Sequence, residues 1–293
     1  MPFLNLPILQ HTLRSLARHG VGSVWMNAWH RAEQIEAFVA SRPEPDLDIE
    51  VVVEPELLGT GGGLANVWQQ MPRETTLVLV ADVVADFDLD AFSEAHRARG
   101  AVASMALTDR ADPERFGAVQ QDPSGDLSDI VGLTGRGGGP PRVNASAHLF
   151  EPDFLDALPP VGPSCFVRQG YVPLMRAGER CAGWDHEGPW AETGNPDALL
   201  AAQAAALRGE LPVDQGLLEA GGVRRGEALV HRAASVHAEA RVEGTTTIAA
   251  GARVEADAEL RDCLVLPDAV VSGPHEGEIL GAPELADTPG VTS

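Results

Sequence analysis

The stretch "DIEVVVEPELLGTGGGLANVW", residues 48–68, decides how this sequence is interpreted. An apolar run typical of a strand comes first, and an apolar segment with helical spacing comes last. Between them, glycine fills four of the five positions 59–63. Glycine lets another group approach the main chain closely, and the start of a helix presents unpaired N–H groups that suit an anion or a polar ring edge. The stretch therefore predicts a strand, a turn and a helix, the turn being either a nucleotide contact or simply flexible.

Strands and helices alternate on both sides of this stretch. Strands are predicted at residues 21–26, 48–53, 75–82 and 101–107, and helices at residues 6–20, 31–41, 63–71 and 88–100. Such alternation is typical of right-handed crossovers over a parallel sheet with both faces covered. The continuous apolar run "TTLVLVAD" favours a strand buried on both faces. The predicted fold class is α/β, with a Rossmann-like, mainly parallel sheet.

The pattern changes after Thr108. The segment "FGAVQQDPSGDLSDIVGL", residues 116–133, predicts two strands joined by a turn at "DPSG". A further strand is predicted at "VNASAHLF", residues 143–150, and a helix at "NPDALLAAQAAALRG", residues 195–209.

A repeat of six residues follows these elements. Its large aliphatic positions are Val236, Val242, Ile248, Val254, Leu260 and Leu266. Neither a helix nor a simple strand has this period, whereas it resembles the hexapeptide repeat of left-handed β-helices, in which each repeat forms one side of a triangular coil. The predicted domains are an α/β domain at residues 1–222, a short left-handed β-helix at 223–272 and a loosely ordered tail at 273–293.

Charge and composition exclude several classes of protein. The 293 residues carry a formal net charge of −22, which argues against a protein that binds nucleic acid or an anionic membrane. No apolar run is long enough to span a bilayer. Three scattered cysteines favour reduced thiols in a cytoplasmic protein. The chain contains no lysine, so every fixed cation is an arginine.

One acidic residue stands where open α/β sheets bind ligands. Asp82 follows the strand "TLVLV" at its carboxyl end, the edge at which ligands of such sheets bind. It is a candidate ligand for Mg²⁺, which prefers a few carboxylates together with phosphate oxygens, although a turn or helix-capping role is also open. Asp86, Asp88 and Asp90 are predicted to be solvated turn or N-cap residues.

Six segments occur in a characteristic order along the chain. They are "VWMNAWHRAEQIEAFV", "LLGTGGGL", "LVLVADVVADFDL", "FGAVQQDPSGDLSDIV", "VNASAHLFEP" and "GPWAETGNPDALLAA". Taken together, they resemble the successive segments of one enzyme family, the sugar-1-phosphate nucleotidyltransferases or NDP-sugar pyrophosphorylases. The resemblance spans about residues 3–270 and is greatest to the mannose-1-phosphate guanylyltransferase-like members that carry a C-terminal β-helix.

The resemblance implies roles for particular residues. Asp82 and Glu192 correspond to the two acidic residues that hold the catalytic Mg²⁺, and Asn144 corresponds to the asparagine that faces the sugar. The segment that contacts the nucleotide base corresponds to Leu58, Gly59, Thr60, Gly61, Gly62 and Gly63.

The reaction that the family performs transfers a nucleotidyl group from an NTP to a sugar 1-phosphate. An oxygen of the sugar 1-phosphate attacks the α-phosphorus in line, pyrophosphate leaves and an NDP-sugar forms, with positioning and charge neutralisation supplying most of the catalysis. The resemblance therefore implies Mg²⁺ as cofactor, and it suggests a homo-oligomer formed through the β-helix.

The sequence also departs from the family pattern. It lacks the loop "G-x-G-T-R-L", which wraps the triphosphate, and the lysine of "P-K-P"; "MPFLNLPIL" resembles the segment just after that lysine. Two explanations stay open: a longer chain whose start lies upstream, or a shortened homologue that binds a nucleotide or sugar nucleotide without catalysis and regulates a partner. In either case we expect little turnover from the chain as given. An acyltransferase, suggested by the repeats alone, is a weaker alternative.

Two smaller departures concern the implied site. Glu192 replaces an aspartate and is one methylene longer, and Ser146 replaces the glycine of an "NAG" segment. Without lysine, the phosphate charge must be met by arginine, which suits bidentate phosphate contacts. The sequence does not distinguish between four candidates, Arg115, Arg136, Arg142 and Arg168.

Overall fold

A computed structural model describes residues 1–281 of the chain. The helices are α1 (Ile8–Arg18), α2 (Ala32–Ala40), α3 (Gly59–Trp68), α4 (Leu89–Arg99), α5 (Pro113–Phe116), α6 (Pro152–Asp156), α7 (Val172–Ala177), α8 (Pro196–Arg208) and α9 (Gln215–Gly221), with a π-helical turn at Phe166–Tyr171. The strands are β1 (Pro2–Phe3), β2 (Leu6–Pro7), β3 (Ser23–Ala28), β4 (Asp48–Val53), β5 (Thr76–Leu79), β6 (Val83–Ala85), β7 (Ala103–Thr108), β8 (Val119–Gln121), β9 (Leu127–Ile130), β10 (Val143–Phe150), β11 (Cys181–Asp185), β12 (Trp190–Glu192), β13 (Val223–Arg225), β14 (Ala228–Val230), β15 (Ser235–Val236), β16 (Arg241–Glu243), β17 (Thr247–Ile248), β18 (Arg253–Val254), β19 (Glu259–Arg261), β20 (Leu264–Val265), β21 (Val270–Val271), β22 (Pro274–Glu276) and β23 (Ile279–Leu280).

The chain divides into two compact units. The sheet unit consists of residues 13–81 and 86–190, and the β-helix unit consists of residues 1–12, 82–85 and 191 onward. This division does not coincide with the predicted boundary at residue 222. Helix α8 lies before that residue but belongs to the β-helix unit, because its buried Leu199 and Leu207 join one apolar cluster with Leu229 and Leu264 of the β-helix strands.

Two sheets form the layer structure of the sheet unit. Strands β3 and β4 are parallel, with Ser23 opposite Asp48 and Ala28 opposite Val53. A second sheet has the order β11, β7, β10, β5. Strand β11 is parallel to β7, and β10 is antiparallel to both β7 and β5, so three of its four strands share one direction. The antiparallel β10 follows the hairpin β8–β9, where the strand–helix alternation of the sequence stops.

Strand β5 is less buried than its composition predicts. Within residues 1–281 it pairs with β10 alone, and its Leu77, Val78 and Leu79 are only half-buried. The expectation of burial on both faces is wrong for this strand because it lies at a sheet edge, where one side of the backbone has no ladder partner.

Aromatic side chains dominate the core of the sheet unit. Phe150 and Phe154 stack with ring centroids 4.0 Å apart, and the buried Tyr171 contacts both rings edge-on. The Tyr171 hydroxyl donates a hydrogen bond to the Ser104 carbonyl oxygen (3.0 Å). It therefore accepts one from His148 Nδ1 (3.0 Å), which leaves the buried His148 Nε2 without a partner among the described residues.

Because His148 is buried, we expect the folded protein to lose stability in acid. Burial lowers the pKa of His148 to about 3, from an ordinary value of 6.5. The unfolded chain therefore binds a proton that the folded chain rejects between these pH values, and stability falls as pH falls. We expect the free energy of unfolding to drop by about 2 kcal/mol from this residue between pH 6.5 and pH 5. Urea titrations of the unaltered chain and of His148→Gln measure the difference in slope.

A control for this prediction is the exposed His30. His30→Gln should keep the pH slope of the unaltered chain. Equal slopes for His148→Gln and the unaltered chain would contradict the assignment.

The β-helix unit stacks short parallel strands in three ladders. The ladders are β14–β17–β20–β23, β15–β18–β21 and β16–β19–β22, and β13 adds an antiparallel strand to the first. Val236 lies opposite Val254, and Val242 lies opposite Leu260, so successive turns of the coil are 18 residues apart at these places. The inward-facing aliphatic residues form one apolar cluster. The repeat in the sequence thus predicts a β-helix correctly, while its left-handedness stays a prediction.

Residues 273–281 belong to the β-helix. Strand β22 pairs with β19, and β23 pairs with β20, so the predicted loosely ordered tail is wrong for these residues. Its apolar Ile279 and Leu280 continue the inner face of the coil, which explains the ladder. The rest of the predicted tail, residues 282–293, lies outside the described residues.

Helices and the first residues of the chain cover one side of the β-helix. Thr247 on β17 donates a hydrogen bond to Gln203 Oε1 on α8 (2.9 Å), and both residues are buried. The Asn5 amide nitrogen lies within hydrogen-bond distance of the carbonyl oxygens of Gly221, Leu229 and Ile248 (3.0–3.3 Å). Among residues 1–281, no helix has both the length and the apolar content to cross a membrane.

Candidate active site

The glycine run forms the first turn of α3. The sequence predicts a turn up to a helix that begins near Gly63, whereas the helix begins at Gly59, with Leu58 as its N-cap residue. Thr60 is exposed, and Gly61, Gly62 and Gly63 are buried. The glycines therefore sit inside the fold and not in a loop open to solvent.

The chain itself fills the space in front of these glycines. A Cβ on Gly61 would lie 2.7 Å from Ser164 Oγ and 2.8 Å from the Phe166 amide nitrogen, and one on Gly62 would lie 2.5 Å from the Gly162 carbonyl oxygen. Gly61 N–H donates to the Ser164 carbonyl oxygen at 2.8 Å. Glycine is needed here for close internal packing, so the room that the sequence suggested for a base edge at Gly61 and Gly62 is taken by residues 162–166.

A buried carboxylate fixes the start of α3. Glu54 is 4% exposed and accepts hydrogen bonds from Asn27 Nδ2 (2.7 Å) and from the Leu58 N–H (3.1 Å). A Cβ on Gly63 would clash with both the Glu54 and the Asn27 side chains. These hydrogen bonds hold the carboxyl ends of β3 and β4 against the N-terminus of α3. At this end of the helix, Thr60 is exposed to solvent.

Asp82 and Glu192 lie on paired strands. Asp82 directly precedes β6, Glu192 ends β12, and these two strands form a two-stranded sheet. Both the N–H and the hydroxyl of Thr193 donate to the Asp82 carbonyl oxygen at 2.7 Å. A Cβ on Gly194 would lie 3.2 Å from Asp82 Oδ2. The segment that begins with Glu192 therefore runs against Asp82, although the two residues are far apart in the sequence.

The two carboxyl groups have different surroundings. Asp82 is reached by solvent, yet neighbouring protein atoms partly desolvate it, and this burial raises the pKa of its carboxyl, a shift that a backbone hydrogen bond opposes. Asn195 Nδ2 lies 3.4 Å from Glu192 Oε1, and Asn195 Oδ1 caps α8 by accepting from the Ala198 N–H (3.0 Å). A bound cation would favour the charged form of Asp82 and reverse its shift.

The donor set suits Mg²⁺. Two carboxylates provide hard oxygen ligands, and Gly194 adds no side chain beside Asp82. Within residues 1–281, no group of three or more His, Cys, Asp or Glu is arranged to hold a metal ion.

Asn144 lies in the sheet unit at an irregular part of β10. The register with β7 shifts between Asn144 and His148, and Ser146 has a φ of 70°, which is rare for a residue with a side chain. Asn144 Oδ1 accepts from the Ser146 N–H (2.9 Å) and stabilises this bulge. Bulges often re-aim side chains beside active sites.

The predicted site residues are divided between the two units. Asp82 and Glu192 belong to the β-helix unit, whereas Asn144 and Leu58–Gly63 belong to the sheet unit. Sequence reasoning missed Thr193, Gly194 and Asn195 as the residues that hold the acidic pair in place. The polar string "ETGNP" after a short strand was the available signal, since Asn-Pro marks a helix start.

Three side chains of the sheet unit are arranged like a nucleophilic triad, but their role is structural. His96 Nδ1 lies 2.7 Å from Ser104 Oγ, and His96 Nε2 lies 3.0 Å from Glu151 Oε1. Ser104 is 1% exposed, so no substrate can reach its hydroxyl. The group links α4 to β7 and to the N-cap residue of α6, which is a structural role.

The family model for nucleotidyl transferase matches residues 1–209 of this chain. The chain belongs to the nucleotidyl transferase family. The resemblance to the sugar-1-phosphate nucleotidyltransferases, drawn from the order of its segments, is thereby confirmed.

Two curated relatives of the chain are named for the same activity. It is 30% identical over 258 residues to the mannose-1-phosphate guanylyltransferase of Mycobacterium tuberculosis, covering 87% of this chain and 69% of the relative. It is 27% identical over 207 residues to the mannose-1-phosphate guanyltransferase of Hypocrea jecorina, covering 68% of this chain and 55% of the relative. The chain thus spans little more than half the length of the fungal protein.

Solved structures support the fold of this nucleotidyl transferase. HddC from Yersinia pseudotuberculosis matches with a TM-score of 0.58 at 16% identity, covering 69% of this chain and 86% of HddC. The structure of HddC complexed with GMP-PN matches with the same TM-score at 17% identity. The α/β fold is shared with these proteins.

Proposed function

We propose that this chain transfers a nucleotidyl group from an NTP to a sugar 1-phosphate, giving an NDP-sugar and pyrophosphate. One observation carries the proposal: in a member of the nucleotidyl transferase family, the segment Glu192–Asn195 runs directly against Asp82. Two carboxylates from remote parts of the sequence are placed on paired strands, as a shared cation requires.

Nucleotidyl transfer needs little covalent help from the protein. A phosphate oxygen of the sugar 1-phosphate forms a bond to the α-phosphorus of the NTP, while the bond from that phosphorus to the oxygen bridging to the β-phosphorus breaks and pyrophosphate leaves. Asp82 and Glu192 would hold Mg²⁺, which when bound neutralises phosphate charge. Asn144 faces the sugar, and Leu58–Gly63 present the open turn at Thr60 to the base.

The relatives suggest which substrates to test first. Their names specify mannose 1-phosphate and a guanylyl group, so GTP with mannose 1-phosphate is our first pair. We also propose that the β-helix is left-handed with hexapeptide repeats and contacts a second copy of the chain. A cytoplasmic location agrees with its three unpaired cysteines.

An alternative proposal is a homologue that binds a nucleotide or sugar nucleotide without turning it over and regulates a partner. The observation in its favour is that the 293 residues contain no lysine, which leaves arginine, backbone N–H groups or a metal ion to meet the phosphate charge. Its signature would be nucleotide binding without pyrophosphate.

Pyrophosphate release distinguishes these proposals. The chain is incubated with Mg²⁺, each of GTP, ATP, CTP and UTP, and mannose 1-phosphate or glucose 1-phosphate, while calorimetry measures binding of the same nucleotides. Pyrophosphate that requires both substrates supports the transferase. Because little turnover is expected from the chain as given, the measurement is repeated on a chain extended upstream by a "G-x-G-T-R-L" loop. Nucleotide binding with no pyrophosphate from either chain supports the binding homologue, and absence of both binding and pyrophosphate contradicts the two proposals together.

A further inference from the structure

An exposed tryptophan follows β3 at its carboxyl end. The other four of the chain's five tryptophans are buried or half-buried, whereas Trp29 is 42% exposed. Within residues 1–281 its ring neighbour is His30, at 6.3 Å between ring centroids with planes tilted by 50°, so this ring does not cover the face of the indole. The inference drawn from this residue rests on the proposed function, since it names a side chain that contacts the nucleotide.

The strand places Trp29 on the side of the sheet that α3 covers. Asn27 Nδ2 lies 2.6 Å from the position of a Cβ on Gly63, so the Asn27 side chain points toward α3. The Ala28 carbonyl oxygen accepts from the Glu54 N–H at 2.7 Å, which continues the pairing with the neighbouring chain as far as Trp29. Because successive side chains of a strand alternate between its two faces, Trp29 projects on the same side as Asn27.

The spacing brings Trp29 level with the first turn of α3. Trp29 lies two residues, about 7 Å, beyond Asn27 toward the carboxyl end of the sheet. Gly59 lies four residues, about 6 Å, before Gly63 along the helix. The helix N-terminus faces the same end of the sheet, because a short connection joins the end of β4 to it. Trp29 therefore lies beside Gly59.

The chain itself closes the other side of this helix end. Residues 162–166 fill the space in front of Gly61 and Gly62, whereas Thr60 is exposed. A base that reaches the start of α3 therefore approaches on the side of Trp29 and Thr60. A planar ring can lie on the indole there while its polar edge meets the start of the helix.

The turn that carries the indole is held in one conformation. Arg31, the N-cap residue of α2, has a φ of 54° and a ψ of 37°, a left-handed conformation that is rare for a residue with a side chain. Such a conformation persists only where the surrounding structure enforces it. Trp29 is thus presented in a fixed place, and little freedom is lost when a ligand ring lies on it.

We propose that Trp29 stacks on the base of the NTP at the start of α3. Every base has a π-face, so stacking provides affinity for any nucleotide, and a purine gains more than a pyrimidine because its ring system is larger. A sugar 1-phosphate has no aromatic ring and gains nothing from the indole. Trp29 therefore contributes to nucleotide affinity alone.

The test is titration of the full chain and its variants with GTP, UTP and mannose 1-phosphate. Calorimetry measures the affinities, and tryptophan fluorescence reports the stacking, since a base that lies on an indole quenches its emission. Trp29→Ala should weaken GTP binding about tenfold and UTP binding less, and it should leave mannose 1-phosphate binding within about twofold. Trp29→Phe keeps an aromatic face and should retain GTP affinity within about threefold.

Controls on the same two strands separate stacking from a general effect. Val53 is 47% exposed and lies opposite Ala28, so it projects from the other face of the sheet than Trp29. Val53→Ala should leave GTP affinity within about twofold. Trp25→Phe removes a half-buried tryptophan of β3. GTP should still quench the fluorescence of Trp25→Phe, while this quench should be lost in Trp29→Phe.

The outcomes that overturn the inference are distinct from those that overturn the function. Equal GTP affinity in Trp29→Ala and the unaltered chain rejects the stacking, and so does an equal loss of mannose 1-phosphate affinity. If pyrophosphate release still requires both substrates in either case, the transferase stands and only the role of Trp29 is wrong. No nucleotide binding by the unaltered chain rejects the inference, and if the extended chain also releases no pyrophosphate, the proposed function is rejected with it.

Discussion

Asp82→Asn is expected to lower any pyrophosphate release that the chain shows by about a thousandfold, since charge stabilisation of several kcal/mol is lost when a carboxylate ligand becomes neutral. Glu192→Gln should act in the same direction. Calorimetric Mg²⁺ titration in the presence of GTP gives a readout independent of turnover, and both variants should bind the cation more weakly. Because burial raises the pKa of Asp82, we also expect Mg²⁺ affinity to fall as pH falls. The proton and the cation compete for the same carboxylate.

The matched control is Asp90→Asn. Asp90 is an exposed residue in the first turn of α4, whose N-cap is Asp88, so the change removes one carboxylate of the same acidic run. It should leave Mg²⁺ binding and turnover within about twofold. Normal turnover in Asp82→Asn, or the same loss in Asp90→Asn, would refute the metal assignment.

Gly61→Ala is expected to destabilise the chain by about 2–3 kcal/mol, as overpacking against the main chain does. The added methyl group would lie 2.8 Å from the Phe166 amide nitrogen and 2.9 Å from the Cys165 carbonyl carbon, and neither backbone atom can move freely. Alanine favours a helix over glycine by about 1 kcal/mol, which offsets part of the cost. Urea unfolding followed by tryptophan fluorescence measures the change.

Gly22→Ala is a comparison variant that should raise the free energy of unfolding instead of lowering it. No heavy atom lies within 4 Å of a Cβ at Gly22, and its φ is outside the left-handed region. The substitution should stabilise by a few tenths of a kcal/mol, up to about 1, because it restricts the unfolded chain. Similar stabilities for Gly61→Ala and Gly22→Ala would show that residues 162–166 do not confine the start of α3.

Local patterns in the sequence predicted most of the elements. The alternation of apolar segments predicted strands β3, β4, β5 and β7. The six-residue period indicated the β-helix because each coil buries its aliphatic residues in the same way. The direction of β10 was not predictable, since antiparallel and parallel strands that are buried on both faces have the same composition.

The glycine run shows why the site was only partly predictable. Its position between a strand and a helix was readable, but whether glycine makes room for a ligand or for the chain depends on residues 162–166, about a hundred positions later. The pairing of Asp82 with Glu192 came from resemblance and not from local pattern.

The tie at Asn5 has a consequence for how the protein is made. Its carbonyl partners follow 216, 224 and 243 positions later, so its amide stays without these partners until the strands of the β-helix have been made. The contacts within residues 13–81 and 86–190 can form earlier in synthesis. Closure of such distant contacts is slow, and nascent chains should expose the apolar Phe3 and Leu4 to chaperones until the β-helix strands are available.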